Sequence, residues 1–142
     1  MILKDLTVSW LRFCQDFDLS LKFVNFDATA DEEALPRSSI IGPMALTFTV
    51  EEHMIEGTIQ IGLSTFDDKN NFELLGKMDE LLMKLLPLTK IPVYNADTGL
   101  RSGAMIVASP VTVMPIVGGK VRNLQFVAVD FKTTRTYAVP TI

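Results

Sequence analysis

AMIVASPVTVMPIV (Ala104–Val117), GGK (Gly118–Lys120) and VRNLQFVAVDFKT (Val121–Thr133) follow one another without a break, and their reading decides the fold. Both long runs are strand-like, and Gly118-Gly119 is a pair that a two-residue turn accepts because both positions can take positive φ. With that turn, Val117 faces Lys120, Thr112 faces Gln125 and Ile106 faces Phe131. One face of the hairpin then collects Met105, Val107, Val111, Val113, Val117, Leu124, Phe126 and Ala128. The other collects Ile106, Ala108, Met114, Ile116, Val121, Val127, Val129 and Phe131. A hairpin with one wet side alternates apolar and polar residues, and this one does not. Each side therefore needs a cover: a helix on one, a neighbouring subunit or second layer on the other. Pro110 and Pro115 cannot donate ladder bonds, so the first run is expected to be an edge strand or bulged at those points.

Upstream, Leu6, Trp10, Phe13, Cys14 and Phe17 recur at helical spacing and predict an amphipathic helix over Lys4–Phe17. Leu21–Phe26 reads as a short strand, and Asp27–Ser38 as an acidic loop broken by Pro36. Met44, Leu46, Phe48 and Val50, then Ile55, Ile59, Ile61 and Leu63, alternate with polar or small residues. They predict two strands joined through a Glu51–Met54 turn. Phe72–Leu86 reads as a second helix with Phe72, Leu75, Met78, Leu82, Leu85 and Leu86 as its apolar set. Asn70 and Glu73 stand as a capping box, and Glu73–Lys77 and Glu80–Lys84 as i,i+4 pairs. Pro87 stops it. Ile91–Tyr94 is a short strand, and Asn95–Gly103 a polar loop. The expected class is α+β: one domain over residues 1–142, an antiparallel-rich sheet with two amphipathic helices packed on one face, and 136–142 as an extended tail.

The 142 residues carry a net charge of −4, which leaves no basic footprint for gripping nucleic acid. A single cysteine, Cys14, excludes an internal disulfide and a thiolate-rich zinc site. No run approaches the roughly 18 apolar residues of a membrane span, and the first residues lack a signal-peptide pattern, so a soluble protein assembled in the cytoplasm is expected.

Catalytic signatures are sparse. Asp97-Thr98-Gly99 matches the tripeptide of retroviral-type aspartic proteases, in which two aspartates share a proton. Here Asn95-Ala96 and Leu100 replace the family's flanking residues, and a turn explains the same letters. His53, the only histidine, lies beside Glu51 and Glu52 at a strand turn. The acidic run Asp27, Asp31, Glu32, Glu33 lacks the ligand spacing of a calcium loop. No cofactor or metal is expected.

The whole layout resembles the tail terminator family of long-tailed (siphovirus) bacteriophages, the lambda-type group. The resemblance lies in the opening helix, the strand pair ending Gly57-Thr58-Ile59-Gln60-Ile61-Gly62-Leu63, the acidic break Asp67-Asp68-Lys69-Asn70 before a helix, Ile91-Pro92-Val93-Tyr94, a strand with Ser109-Pro110, and the final strand Leu124–Phe131. It implies a virion structural protein rather than an enzyme. Such a protein forms a homo-oligomeric ring, usually a hexamer, that caps the tail tube protein and joins it to the head–tail connector or stopper. DNA passes through its lumen without specific binding. A neck or head–tail joining (tail completion) protein of the same virion is the alternative. More remote are a protease using Asp97, and a small-ligand carrier walled by the hairpin. On this reading the expected subunit or ring contacts are Asp67, Asp68, Asn95, Asp97, Leu100, Arg101, Phe131 and Tyr137.

Overall fold

The first helix spans Ile2–Phe17 (α1) and buries Leu6, Trp10 and Cys14 along one stripe, as its periodicity requires. Helix and sheet are seen in a computed structural model that describes residues 2–27, 35–119 and 121–134. Most of the acidic loop, and the tail with Tyr137, lie outside the described residues. After α1 come β1 (Lys22–Phe23), β2 (Ile40–Val50), β3 (Met54–Phe66), α2 (Phe72–Met83), β4 (Lys90–Tyr94), β5 (Arg101–Val107), β6 (Thr112–Val113), β7 (Val117–Gly118) and β8 (Arg122–Thr134). The sheet runs β1-β2-β3-β8-β5-β4, with β6 and β7 also paired to β8. All pairings are antiparallel except β1 with β2.

The spine of the sheet is β3 against β8, paired without a break from Met54↔Thr134 to Phe66↔Arg122. Ile55, Ile59, Ile61 and Leu63 of β3 and Val127, Val129 and Phe131 of β8 face both helices in one core cluster. The α+β class and the placement of two helices on one face stand as expected.

The hairpin register differs from the simple one. Ile106 faces Lys132, Thr112 faces Ala128 and Val117 faces Leu124. Five steps from Val107 to Thr112 answer three steps from Phe131 to Ala128, and the surplus surrounds Pro110. A second surplus, of one residue, surrounds Pro115, between Val113 and Val117. The prolines thus break the strand where the missing N–H groups demand it. The reversal lies between Gly119 and Arg122, whose carbonyl accepts the Gly119 N–H at 2.7 Å, rather than at Gly118-Gly119. Because side chains alternate sides, a one-residue slip flips a face. Met105 and Val107 therefore join Val127, Val129 and Phe131 in the core. The second face, with Ile106, Leu124, Phe126 and Ala128, is half-buried rather than bare.

Two aromatic–glycine–aromatic rows hold the sheet. On the core side Phe48 and Phe131 meet across Gly57 with ring centroids 6.2 Å apart, and Trp10 lies edge-on to Phe131 at 5.3 Å. On the outer side Phe26 reaches over paired Gly42 and Gly62 to meet Phe126 at 5.5 Å. The β1 ladder continues into this row through Val24 N–H to Ile41 O (2.9 Å) and Phe26 N–H to Pro43 O (3.2 Å).

Helix α2 is turned away from the predicted orientation. Leu74, Met78 and Leu81, followed by Leu85, face the core, while Phe72, Leu75, Met83 and Leu86 are exposed. Two apolar stripes interleave on this helix, and periodicity alone does not choose between them. The cap also moves. Asn70 and Asn71 adopt left-handed backbone in a 3-10 turn (Lys69–Asn71), so Asp68 folds over the helix start instead. Its carboxylate accepts the N–H groups of Leu74 (2.9 Å) and Glu73 (3.2 Å) and the Thr65 hydroxyl (2.9 Å). The expected Glu73–Lys77 pair is absent: Lys77 pairs with Asp18 at the end of α1, and Glu73 accepts from the Ser39 hydroxyl.

Candidate functional site

The long strands separate the loops into two groups. One end of the β3–β8 pair carries the Glu51–Met54 turn and Thr134, and the β4–β5 turn extends from this side of the sheet. The other end carries Asp67–Asn71 and the β7–β8 reversal. The two loop groups proposed as contacts therefore stand at opposite ends of the molecule. At the second end Asp67 N–H donates to Val121 O at 2.9 Å, and the Asn123 side chain donates to Asp68 O and to Asn71. Asp67 is exposed and available. Asp68 is committed to capping α2: burial pushes its carboxyl up, but the Leu74, Thr65 and Glu73 hydrogen bonds outweigh that and hold it below the ordinary carboxylate value.

At the first end, Asn95 organises the β4–β5 turn. Its side-chain oxygen accepts Asp97 N–H and Thr98 N–H, both at 2.9 Å, and Gly99 takes φ +72°. Asp97 is exposed and pairs with Lys4 of α1 at 3.3 Å. The Asp-Thr-Gly tripeptide is thus the apex of a hairpin, a position whose backbone needs select these residues. Leu100 and Arg101 are exposed beside it. Phe131 is a correction: at 1% exposure it fills the core between Trp10 and Phe48, so no neighbour can touch it while the domain is folded.

Between α1 and the sheet edge lies a groove of about 220 Å³. Phe13, Phe17, Ile91, Pro92 and Tyr94 form its walls, and Arg12, Asp16 and Lys84 its rim. Arg12 stacks on the Tyr94 ring at 3.8 Å and reaches Asp16 at 3.5 Å. The helix also closes the edge of β4: the Ser9 hydroxyl accepts Tyr94 N–H (2.8 Å), Asp5 accepts Ala96 N–H (2.8 Å), and Pro92 has no N–H to offer. That edge is blocked against further strand pairing. A second cleft, of about 470 Å³, opens between the start of α1 and the base of β5 and β8, lined by Ile2, Asp5, Ala104 and Thr133 among others. The carrier reading expects the C-terminal hairpin to wall the pocket, but the hairpin only touches this second cleft at its base.

Charged groups here are structural. Hydrogen bonds from Lys77 and Ser20 hold Asp18 down at about 2, and Asp18 raises Lys77 in return. Burial pushes the Cys14 thiol up to about 12, which suppresses the thiolate. The Arg122 guanidinium is buried and donates to Ser38 O and the Ser64 hydroxyl, each at 3.1 Å, and to Pro36 O. It fastens the segment before β2 to the end of the spine. Among the described residues no group of three or more His, Cys, Asp or Glu side chains could hold a metal. Among the same residues no helix is long and apolar enough to cross a membrane.

Of the exposed apolar surface, the sequence reading places the hairpin part and misplaces the α2 part. That surface lies on the outward stripe of α2, on Leu88 just beyond it, on Val113, Val117 and Val121 at the hairpin tip, and singly at Leu19, Val50 and Leu100. The signal for the α2 stripe is in the sequence, where Phe72, Leu75 and Leu86 share one face that the periodicity alone assigns to the core.

No protein-family description matches this chain. No curated protein matches it either. A solved structure, whose name states no activity, is similar over 97% of this chain and 96% of its own, with a TM-score of 0.58 at 12% identity. That likeness concerns the fold alone.

Proposed function

We propose that the chain is a virion structural protein of a long-tailed bacteriophage: a tail terminator whose ring, six copies in the family it resembles, caps the tail tube and presents its far side to the head–tail connector or stopper. The observation that carries this reading is the distribution of surfaces along the β3–β8 spine. Loops stand at its two ends, exposing Asp67, Val117 and Val121 at one and Asp97, Leu100 and Arg101 at the other, while the apolar α2 stripe lies along its side. A ring subunit needs both, because its sides meet identical neighbours and its two ends meet different rings. The net charge of −4 suits a lumen that lets DNA slide through without holding it. Mechanism here is templated association: one end reproduces tube-to-tube contacts and the other does not, so growth stops. Assembly takes place in the host cytoplasm, and the finished protein resides in the tail or neck of the virion.

The test adds the purified protein to tail tube protein that is still polymerising and measures tube length by electron microscopy. Tubes that stop growing and carry extra density at one end support the terminator. Tubes that grow on unchanged refute it. Binding to isolated connectors without any effect on tubes would favour the neck or head–tail joining alternative.

A further inference from the structure

Helix α2 carries a stripe that its own domain does not use. Phe72 is 76% exposed and Met83 70%, with Leu75 between them and Leu86 and Leu88 continuing beyond the helix. The stripe lies about 140° round the helix from the core-facing set Leu74, Met78 and Leu81. Lys77 points to the other flank, where it meets Asp18 of α1. In the middle of the stripe stands Asp79, exposed, with no hydrogen bond or ion pair among the described residues.

The groove between α1 and β4 is the converse surface. Its walls are Phe13, Phe17, Ile91 and Pro92, and on its rim stands Lys84, a cation with no partner among the described residues. Arg12 adds a second positive group, partly committed to Asp16 and Tyr94. One surface is apolar around a lone carboxylate, and the other is apolar beside a lone ammonium group.

We infer that these two surfaces meet in pairs of identical chains: the α2 stripe of one copy seats on the α1–β4 groove of the next, with Asp79 opposite Lys84. The occupant of the groove is thus a second copy of this chain. Because stripe and groove lie on opposite flanks of α2, the contact is head-to-tail, which propagates until a ring closes. An ion pair set within apolar surface fixes register more than it adds affinity, and a like-charge pair there opposes docking strongly. This inference rests on the ring reading and supplies its side-to-side contact.

Charge reversal tests it on the full chain, with mass read by light scattering from micromolar concentration upward and folding checked by circular dichroism. The wild type forms a multimer. Asp79→Lys and Lys84→Glu each fall to the 15.8 kDa single chain, because each places like charges in contact. The double variant Asp79→Lys/Lys84→Glu recovers the multimer. An equimolar mixture of the two single variants also recovers it, since each stripe then finds an oppositely charged groove on the other variant. A wild type that stays monomeric overturns the inference, and so do folded single variants that keep the wild-type mass or a mixture that stays monomeric. Multimers indifferent to these charges would leave the ring reading intact, and the tube-length assay judges that reading separately.

Discussion

Replacing Gly42 with alanine should detach β1 from the sheet, and the cost can be worked from the geometry. A Cβ at position 42 would stand 1.5 Å from the Val24 carbonyl oxygen and 2.7 Å from its carbon. Carbon–oxygen contacts settle near 3.3 Å, so the two backbones must part by roughly 2 Å. That separation breaks the Val24 N–H to Ile41 O and Phe26 N–H to Pro43 O bonds, and lifts Phe26 off Phe126. Two backbone hydrogen bonds contribute about 1 kcal/mol each, and the edge-to-face ring pair about 1 kcal/mol. Alanine returns about 0.5–1 kcal/mol by restricting the unfolded chain. The net loss is then about 2–2.5 kcal/mol. Gly62→Ala provides the control, because its Cβ would meet only ring atoms, Phe126 Cε1 at 2.6 Å and Phe26 Cε2 at 2.8 Å. Those rings can tilt, so the loss there should be roughly half as large. Urea denaturation followed by circular dichroism measures both, with an unchanged slope indicating an unchanged unfolded state. Amide exchange at Val24 and Phe26 should rise in Gly42→Ala alone. If Gly42→Ala is no more destabilising than Gly62→Ala, the outer glycine row does not hold the sheet as argued.

Asp18 is depressed from 3.8 to about 2, and its side chain and that of Lys77 are only 20% and 25% exposed. The hydrogen bonds from Lys77 and Ser20 that hold it there therefore contribute about 2 kcal/mol together. A lowered folded-state value makes that stability present above the unfolded value and lost as pH falls from about 5 towards 2, so Asp18→Asn should flatten this limb of the stability–pH profile. Asp68→Ala should destabilise by about 1–2 kcal/mol, by urea titration, because it removes the α2 cap, whereas Asn70→Gly, which keeps the left-handed backbone accessible, should change little. Cys14, buried and held near 12, should resist thiol reagents at pH 8 in the folded protein and react promptly in denaturant, as absorbance of the released reagent will record. Asp97→Asn should alter stability by under about 0.5 kcal/mol, since its ion pair with Lys4 is exposed, and should leave multimer mass unchanged; loss of a measurable peptidase activity would revive the protease reading.

Much of the fold was legible because one-sided patterns are unambiguous. The α1 stripe of Leu6, Trp10 and Cys14 and the alternation in β3 each admit a single orientation, and both lie where periodicity puts them. The C-terminal hairpin was legible as strands but not as a register. With apolar residues at nearly every position, no face is penalised by a slip, so the pairing is decided by where Pro110 and Pro115 force extra residues into one strand. The α2 cap was missed for a local reason: two successive left-handed asparagines carry the chain so that Asp68, not Asn70, meets the free N–H groups. Of the contact candidates, the exposed loop residues remain available, while Phe131 shares the face of Val127 and Val129 in either register, and that face of β8 is the one the helices cover.

The hairpin register bears on where assembly is encoded. A two-sided apolar ribbon would put the pressure to associate on the C-terminal strands. The slip instead sends Met105 and Val107 inward and leaves the outer face partly sheltered by Phe26, which lowers that pressure. The unsatisfied surface passes to α2, a helix with two apolar stripes and only one core to fill. Phe72, Leu75 and Met83 lie outside the core cluster, so their substitution should alter association more than folding. The core stripe should show the reverse: Leu81→Ala should cost about 2–5 kcal/mol of stability. Helix α2 thus divides its two duties by angle, and Asp79, set among apolar neighbours on the outward side, is the residue at which they are most cleanly separable.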